Sequence, residues 1–179
     1  LAFPQAGMKI NSDFLRRLHL DPTHYLLTAR QLQVVKLFYD TLDIRGDGEG
    51  LDDLQFLAFM RLHTDLSDKE IYNVFDMFDV DGSGSLEFDE FYLLICMLVA
   101  IKDNQEKQFL FRHSRTCFEL LDEDGSGSVG VEEFENFGFL FNFTRSSVRQ
   151  IFKEFDISGD KELDYDEFRM FTFACIDKE

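Results

Sequence analysis

Residues 79–90 read Asp-Val-Asp-Gly-Ser-Gly-Ser-Leu-Glu-Phe-Asp-Glu, and residues 122–133 repeat the pattern as Asp-Glu-Asp-Gly-Ser-Gly-Ser-Val-Gly-Val-Glu-Glu. In both stretches side-chain oxygens stand at positions 1, 3 and 5, a backbone carbonyl is available at position 7, and a glutamate closes the stretch at position 12. Glycine occupies position 6, as Gly84 and Gly127, where it takes the positive φ of a sharp turn without steric cost. Oxygen atoms at this spacing form the shell that a hard cation requires.

The two stretches are typical of EF-hand calcium loops, and they are numbered here as loops two and three. Gly130 at position 9 of loop three has no side chain, so that ligand position is left to water. The sequence predicts ten protein ligands, five in each loop: Asp79, Asp81, Ser83, Ser85 and Glu90, and then Asp122, Asp124, Ser126, Ser128 and Glu133.

A third, less regular copy of the pattern covers residues 156–167 and is loop four. Lys161 replaces the turn glycine there, and a non-glycine residue in a left-handed conformation costs about 1–2 kcal/mol. We therefore expect loop four to bind calcium, but more weakly than loop three or after it. Its expected ligands are Asp156, Ser158, Asp160, Glu162 and Glu167.

The fourth copy, loop one, covers residues 43–55 and aligns with the others only if it is one residue longer. Arg45 places a cation at position 3, and Gln55 replaces the closing glutamate. Because the two positions that most need negative charge are lost, we expect a structural hand without calcium.

Aromatic residues recur at helical spacing before and after each loop, which predicts an all-α protein whose phenylalanines form the core between hands. The hands are expected to pair as one with two and three with four, in two lobes. A short β pairing between loops is expected at matching apolar positions near the end of each loop: Leu51, Leu86, Val129 and Leu163. Helix starts are predicted at three capping residues: Thr28, Ser67 and Thr144.

The widest spacing between loops lies between loops two and three, which predicts two domains. Residues 24–101 would form the first EF-hand pair and residues 109–179 the second, with a linker at 102–108. The linker contains no proline or glycine, and the pattern leaves open whether it is a continuous helix or a polar hinge. Residues 1–23 are expected to form an N-terminal extension, with residues 1–7 a candidate remnant of an expression vector.

The composition narrows the class of partner. With 35 acidic and 18 basic residues the formal net charge is -17, which argues against nucleic acid or an anionic membrane and favours cations and basic peptides. A hydrophobic content of 45% with 22 phenylalanines excludes a disordered chain. The longest apolar run, residues 91–101, is too short for a membrane helix of about 20 residues and predicts a buried helix.

The remaining signals favour an intracellular protein without catalytic activity. Cys96, Cys117 and Cys175 show neither a disulfide framework nor the spacing of a thiolate metal site, which indicates a reducing compartment. No secretory signal pattern is visible. The carboxylates are accounted for by metal ligation, and no phosphate loop, nucleophile elbow or histidine metal cluster is present, so no enzyme is expected.

One aromatic segment, residues 134–143, is apolar on more than one helical face. Phe134, Phe137 and Phe141 suffice for a core stripe. Phe139, Leu140 and Phe143 either join the core or line a groove for a partner helix, and the sequence leaves both interpretations open.

Several stretches, some of them outside the calcium loops, carry a likeness to a known family: residues 74–77, 91–98, 112–115, 139–142 and 155–160. In these stretches the chain resembles the family of EF-hand calcium-binding domain-containing protein 9, the EF-hand auxiliary subunits of the sperm CatSper channel. The resemblance implies a cytoplasmic calcium sensor that pairs with a small partner at the channel in the flagellum. Loops two and three are more regular than in mammalian members, so stronger calcium binding is expected.

Together these observations predict a calcium-binding regulatory subunit with a protein partner, either a channel auxiliary subunit or a cytoplasmic channel segment, located in the cytoplasm of a cilium or sperm flagellum. Neither nucleic-acid binding nor membrane insertion is expected. Two alternatives stay open. A cytosolic calcium buffer would bind calcium but barely change shape, and a structural protein of the axoneme would keep its partner with or without metal.

Overall fold

The computed structural model describes residues 8–46, 48–141 and 143–176. This part of the chain is mostly helical, with one short antiparallel strand pair between loops, which confirms the predicted fold class. In chain order the elements are α1 (Asp13–Arg16), α2 (Ala29–Leu42), α3 (Asp53–His63), α4 (Asp68–Phe78), α5 (Phe88–Lys102), α6 (Glu106–Arg112), α7 (Ser114–Leu121), β1 (Ser128–Gly130), α8 (Val131–Gly138), a 3-10 turn (Phe139–Phe141), α9 (Arg145–Phe155), β2 (Glu162–Asp164) and α10 (Tyr165–Ile176).

The helices begin where the sequence supplies capping side chains. Thr28 and Ser67 each accept a hydrogen bond from the third residue of the helix that follows, and that residue's side chain returns to the cap. Thr144 caps α9 through the amide of Ser147. All three predicted helix starts are therefore confirmed, because a short oxygen-bearing side chain satisfies amides that the helix itself leaves free.

The chain divides into two compact units, an N-terminal unit containing Lys9–Asn104 and a C-terminal unit that contains the residues from Gln105 on. Helix α5 ends at Lys102, and Asn104 has a positive φ of 54° before α6 begins. Asparagine is one of the few residues that enter this left-handed region readily. The linker is therefore not a continuous helix.

The N-terminal unit is built around phenylalanines of both hands. Phe56 and Phe91, which the sequence placed on the exit helices α3 and α5, are fully buried. The ring of Phe56 lies 5.5 Å from that of Phe75, and Phe59 lies 5.1 Å from Phe91. These contacts confirm the predicted aromatic core, in which one ring from each exit helix packs against the other hand.

The C-terminal unit has a corresponding core. Phe134 on α8 contacts both Phe168 and Phe171 on α10, with ring centroids 6.3 and 5.6 Å apart. Phe143 lies 5.9 Å from Phe171, and only 9% of it is exposed, while Leu140 is fully buried. The groove interpretation of Leu140 and Phe143 is therefore wrong, because the 3-10 turn after α8 folds this segment back onto its own core.

Paired loops join the two hands of each unit, as predicted. Leu51 and Leu86 exchange two backbone hydrogen bonds of 2.9 and 2.8 Å, and Val129 pairs with Leu163 in the β1–β2 sheet. Gly50 makes the first pairing sterically feasible. Its φ is +88°, and a Cβ atom there would lie 2.6 Å from the Leu86 carbonyl oxygen.

The close approach at Gly50 gives a stability prediction. The Gly50→Ala variant should lose about 3 kcal/mol of folding free energy, because it adds a backbone clash to left-handed strain. Gly48→Ala is the matched control, since its φ is +77° and nothing lies within 4 Å of its added Cβ. It should lose only about 1 kcal/mol in urea unfolding. Equal losses in the two variants would contradict a tight loop pairing.

Candidate metal centres

Loop two lies between the end of α4 and the first turn of α5. Asp79 accepts hydrogen bonds of 2.9 Å from the amides of Ser83 and Gly84, one on each carboxylate oxygen. Glu90 accepts from the amides of Val80 and Glu87 at 3.2 and 2.9 Å. Turn amides thus hold the carboxylates facing inward before any ion is considered.

Loop three repeats this geometry in the other unit. Asp122 accepts 2.9 Å hydrogen bonds from the amides of Ser126 and Gly127. Glu133 accepts from the amides of Glu123 and Gly130 at 3.1 and 2.8 Å. Because the hydrogen bonds match those of loop two to within about 0.1 Å, the shared sequence pattern dictates one local structure in both places.

The carboxylates of these two loops converge. One oxygen each from Asp79, Asp81 and Glu90 lies within 4.8 Å of the others, and Asp122, Asp124 and Glu133 form a second such group. Nitrogen and sulfur atoms take no part in either group, so both fit a hard cation such as calcium. When bound, calcium would supply the positive charge that these converging carboxylates lack.

The predicted serine ligands of loop two are placed beside the carboxylates. The Ser83 hydroxyl donates to the carbonyl oxygen of Ser85 at 2.9 Å, and its amide donates to Asp81 at 2.9 Å. Loop three places Ser126 and Ser128 in the same way, with a hydroxyl to carbonyl distance of 3.0 Å. Both loops therefore bring all five predicted ligand residues into one turn.

Hydrogen bonds and burial shift the pKa values of three carboxyl groups in loops two and three. Hydrogen bonds from Ser83 lower the pKa of Asp81, and hydrogen bonds from Ser126 lower that of Asp124. Burial raises the pKa of Glu90, against two amide hydrogen bonds that lower it. The aspartates at position 3 are thus held in the charged form that metal binding needs.

Loop four is arranged differently. Glu167 is almost fully buried, and its carboxylate accepts from three amides, those of Ile157, Ser158 and Asp164, at 2.9, 2.8 and 3.1 Å. Lys161 has the left-handed φ of 71° that the sequence predicted at the missing turn glycine. Within the described chain, the carboxylates of loop four do not converge as those of loops two and three do.

Comparison with known proteins agrees with these sites. A model of an EF-hand domain pair matches residues 111–172, and a model of an EF-hand domain matches residues 70–98. An uncharacterized calcium-binding protein of Caenorhabditis elegans is 28% identical over 173 residues, which cover 92% of this chain and 73% of that protein. A probable calcium-binding protein of Oryza sativa subsp. japonica is 27% identical over 145 residues, covering 79% of this chain and 82% of that protein.

The chain is a calcium-binding EF-hand protein of the calmodulin-like family. EF-hand proteins of this type are non-enzymatic calcium binders, as the sequence predicted. Among the described helices, none combines the length and the apolar character that crossing a membrane requires.

In this EF-hand protein, loop one uses its altered residues for structure. Arg45 forms an ion pair of 3.1 Å with Asp52. Gln55 accepts from the amide of Asp52 at 2.9 Å and donates to the carbonyl of Leu42 at 3.2 Å. Gln55 thus completes the cap of α3 and ties it to the end of α2, and Arg45 holds the capping residue Asp52.

Sequence reasoning missed a side-chain hydrogen bond that supports the pairing of loops one and two. The Tyr39 hydroxyl on α2 donates to the Leu86 carbonyl at 2.8 Å, and burial raises the pKa of Tyr39 to about 12. Leu86 therefore accepts from both Tyr39 and the Leu51 amide. A tyrosine in an apolar helix gave no signal of this role, because its partner lies 47 residues away.

Calcium titration tests the two convergent groups. In Glu90→Gln and in Glu133→Gln, one calcium equivalent should be lost or strongly weakened, since each change removes the charged closing ligand. Asp89→Asn and Glu132→Gln are the matched controls, because both are exposed neighbours outside the ligand set. Isothermal titration into metal-free protein measures the number of sites. An undiminished number in either closing variant would contradict the assignment.

The strained turn of loop four gives a second prediction. Lys161→Gly should raise the free energy of unfolding by about 0.5–1 kcal/mol, because relief of left-handed strain exceeds the added entropy of the unfolded chain. The reverse change in loop three, Gly127→Ala, should cost about 1 kcal/mol, since its φ is +85° in open space. Urea unfolding checks both, and a Lys161→Gly variant less stable than the parent would contradict the strain.

Proposed function

We propose that this EF-hand protein is a calcium sensor, a regulatory subunit that couples intracellular calcium to a protein partner. The observation that supports this most is the inequality of its loops. Loops two and three each bring three carboxylates close together. In loop one, Arg45 and Gln55 occupy two of the ligand positions and form an ion pair and hydrogen bonds instead. A calcium store gains from every loop it keeps, whereas a sensor needs only the loops that move its partner-binding surface.

The proposed calcium ligands are the fifteen loop residues predicted from the sequence. Loops two and three supply the first two sites. Loop four supplies a third, weaker site, because its carboxylates do not converge within the described residues and Glu167 accepts from three amides where Glu133 accepts from two. Binding at these loops would turn the flanking helices, as in other calcium sensors.

A partner surface is available on hand one. Leu62 is 74% exposed and lines a cavity of about 350 Å³ between α2 and α3, and Leu37 on α2 is 69% exposed. Phe38 and Phe59 line its floor. Exposure of leucine side chains to water is energetically unfavourable in an isolated protein, which favours a binding role for this face. The net charge of -17 favours a basic partner.

The partner is proposed from the resemblance. It is a channel auxiliary subunit or cytoplasmic segment of the sperm CatSper channel, and the protein would work in the cytoplasm of the flagellum. The rival functions, a calcium buffer and a structural axonemal protein, differ from a sensor in how calcium affects the partner.

A capture experiment separates the three functions. Tagged protein is incubated with extracts of sperm flagella in calcium or in chelator, and bound proteins are identified by mass spectrometry. A sensor should bind a partner whose recovery changes several-fold with calcium, and Glu90→Gln, in the loop paired with hand one, should in calcium behave like the parent in chelator. Asp89→Asn is the matched control and should behave like the parent.

Two results would contradict the sensor. Recovery of one partner at the same level in calcium and in chelator would indicate a structural protein. Calcium binding without any recovered partner would indicate a buffer.

A further inference from the structure

The segment before α2 forms part of the N-terminal unit in a way that the calcium sites do not require. Residues 9–20, called the strap below, include the one-turn helix α1. Leu15, Leu18 and Leu20 of the strap are buried, while Arg16 and Arg17 face solvent. The strap is therefore amphipathic, with apolar anchors inward and basic residues outward.

One end of the strap is tied to the end of α3. Ile10 pairs with Thr64 in an antiparallel bridge, and the Asn11 amide donates to the His63 carbonyl at 3.0 Å. The Lys9 amide donates to the Asp65 carboxylate at 2.7 Å. These are main-chain contacts of the kind by which an extended peptide adds to a protein surface.

The other end of the strap is tied to α5. The Lys102 side chain donates to the Leu18 carbonyl at 2.8 Å, and the His19 ring lies 2.9 Å from the Asp103 carboxylate. Helix α1 also packs directly against α5. Because α3 belongs to hand one and α5 to hand two, the strap bridges the exit helices of both hands.

Between these ends the strap covers aromatic side chains. Phe14 stacks on Phe38 of α2 with ring centroids 4.0 Å apart, and it lies 6.3 Å from the ring of His63. Phe38 in turn contacts Phe59 at 6.0 Å. The surface that the strap covers is therefore an apolar cleft bounded by α2, α3 and α5.

The strap is seated in the same structure in which Asp79, Asp81 and Glu90 of loop two converge. Its seating is thus compatible with a loop that is ready for calcium. We propose that the strap is a resident ligand of this cleft, taking the place that a basic amphipathic helix of another protein would fill. An external helix can then enter the cleft only when the strap leaves, even when loop two holds calcium.

Removing the strap tests this proposal. In saturating calcium, a variant without residues 9–20 should bind several-fold more hydrophobic dye than the parent, because the cleft becomes open. A synthetic peptide of residues 9–20 should bind this variant and return dye binding to the parent level. The matched control peptide carries Leu15→Asp and Leu18→Asp and should do neither. The proposal would be overturned if the folded deletion variant bound no more dye than the parent, or if it did not bind the peptide of residues 9–20.

If circular dichroism shows that the deletion unfolds the N-terminal unit, a milder variant tests the proposal instead. Phe14→Ala in the full chain should speed amide exchange several-fold within residues 9–20 and leave α2, α3 and α5 unchanged. Arg17→Ala, an exposed neighbour, is the control and should change nothing. Exchange that stays slow in the strap, or that rises throughout the unit, would show that residues 9–20 are core and would overturn the proposal.

Discussion

The rest of this structure depends on one constraint, which is that like-charged carboxylates of the calcium loops are held close together. In loop two, Asp79, Asp81 and Glu90 place oxygens within 4.8 Å of one another, where they repel. Amides of the turn offset this repulsion, and Glu90 also lies in the first turn of α5, where the helix dipole favours negative charge. Because Asp79 directly follows α4 and Glu90 lies in the first turn of α5, the same carboxylates fix where both helices meet the loop.

The pairing of loops one and two links the position of loop two to that of hand one. Leu86, at the end of loop two, is held by the Leu51 amide and by Tyr39. Hand one is required for this pairing whether or not its own loop binds calcium, because it supplies half of it. Arg45 forms an ion pair with Asp52, and Gln55 bonds to Asp52 and Leu42, which holds loop one and its exit helix in place.

The sequence was most predictive where the deciding contacts are local. The converging carboxylates, the left-handed φ of Lys161 and the caps at Thr28 and Ser67 all depend on residues within one loop or turn. It was silent, or left alternatives open, where the partner is distant. The bond from Tyr39 to Leu86, the seating of residues 9–20 against α5, and the burial of Leu140 arise from packing between elements, which periodicity does not report.

Two features of the C-terminal unit bear on the order in which its loops would bind calcium. The Ser128 hydroxyl of loop three donates to the Glu162 carboxylate of loop four at 2.5 Å, beside the pairing of Val129 with Leu163. Glu167 has three amide partners against two for Glu133, and in the described part of the chain the carboxylates of loop three converge whereas those of loop four do not. Loop three should therefore fill first. If loop four binds calcium as proposed, occupation of loop three would bear on Glu162 through β1 and β2.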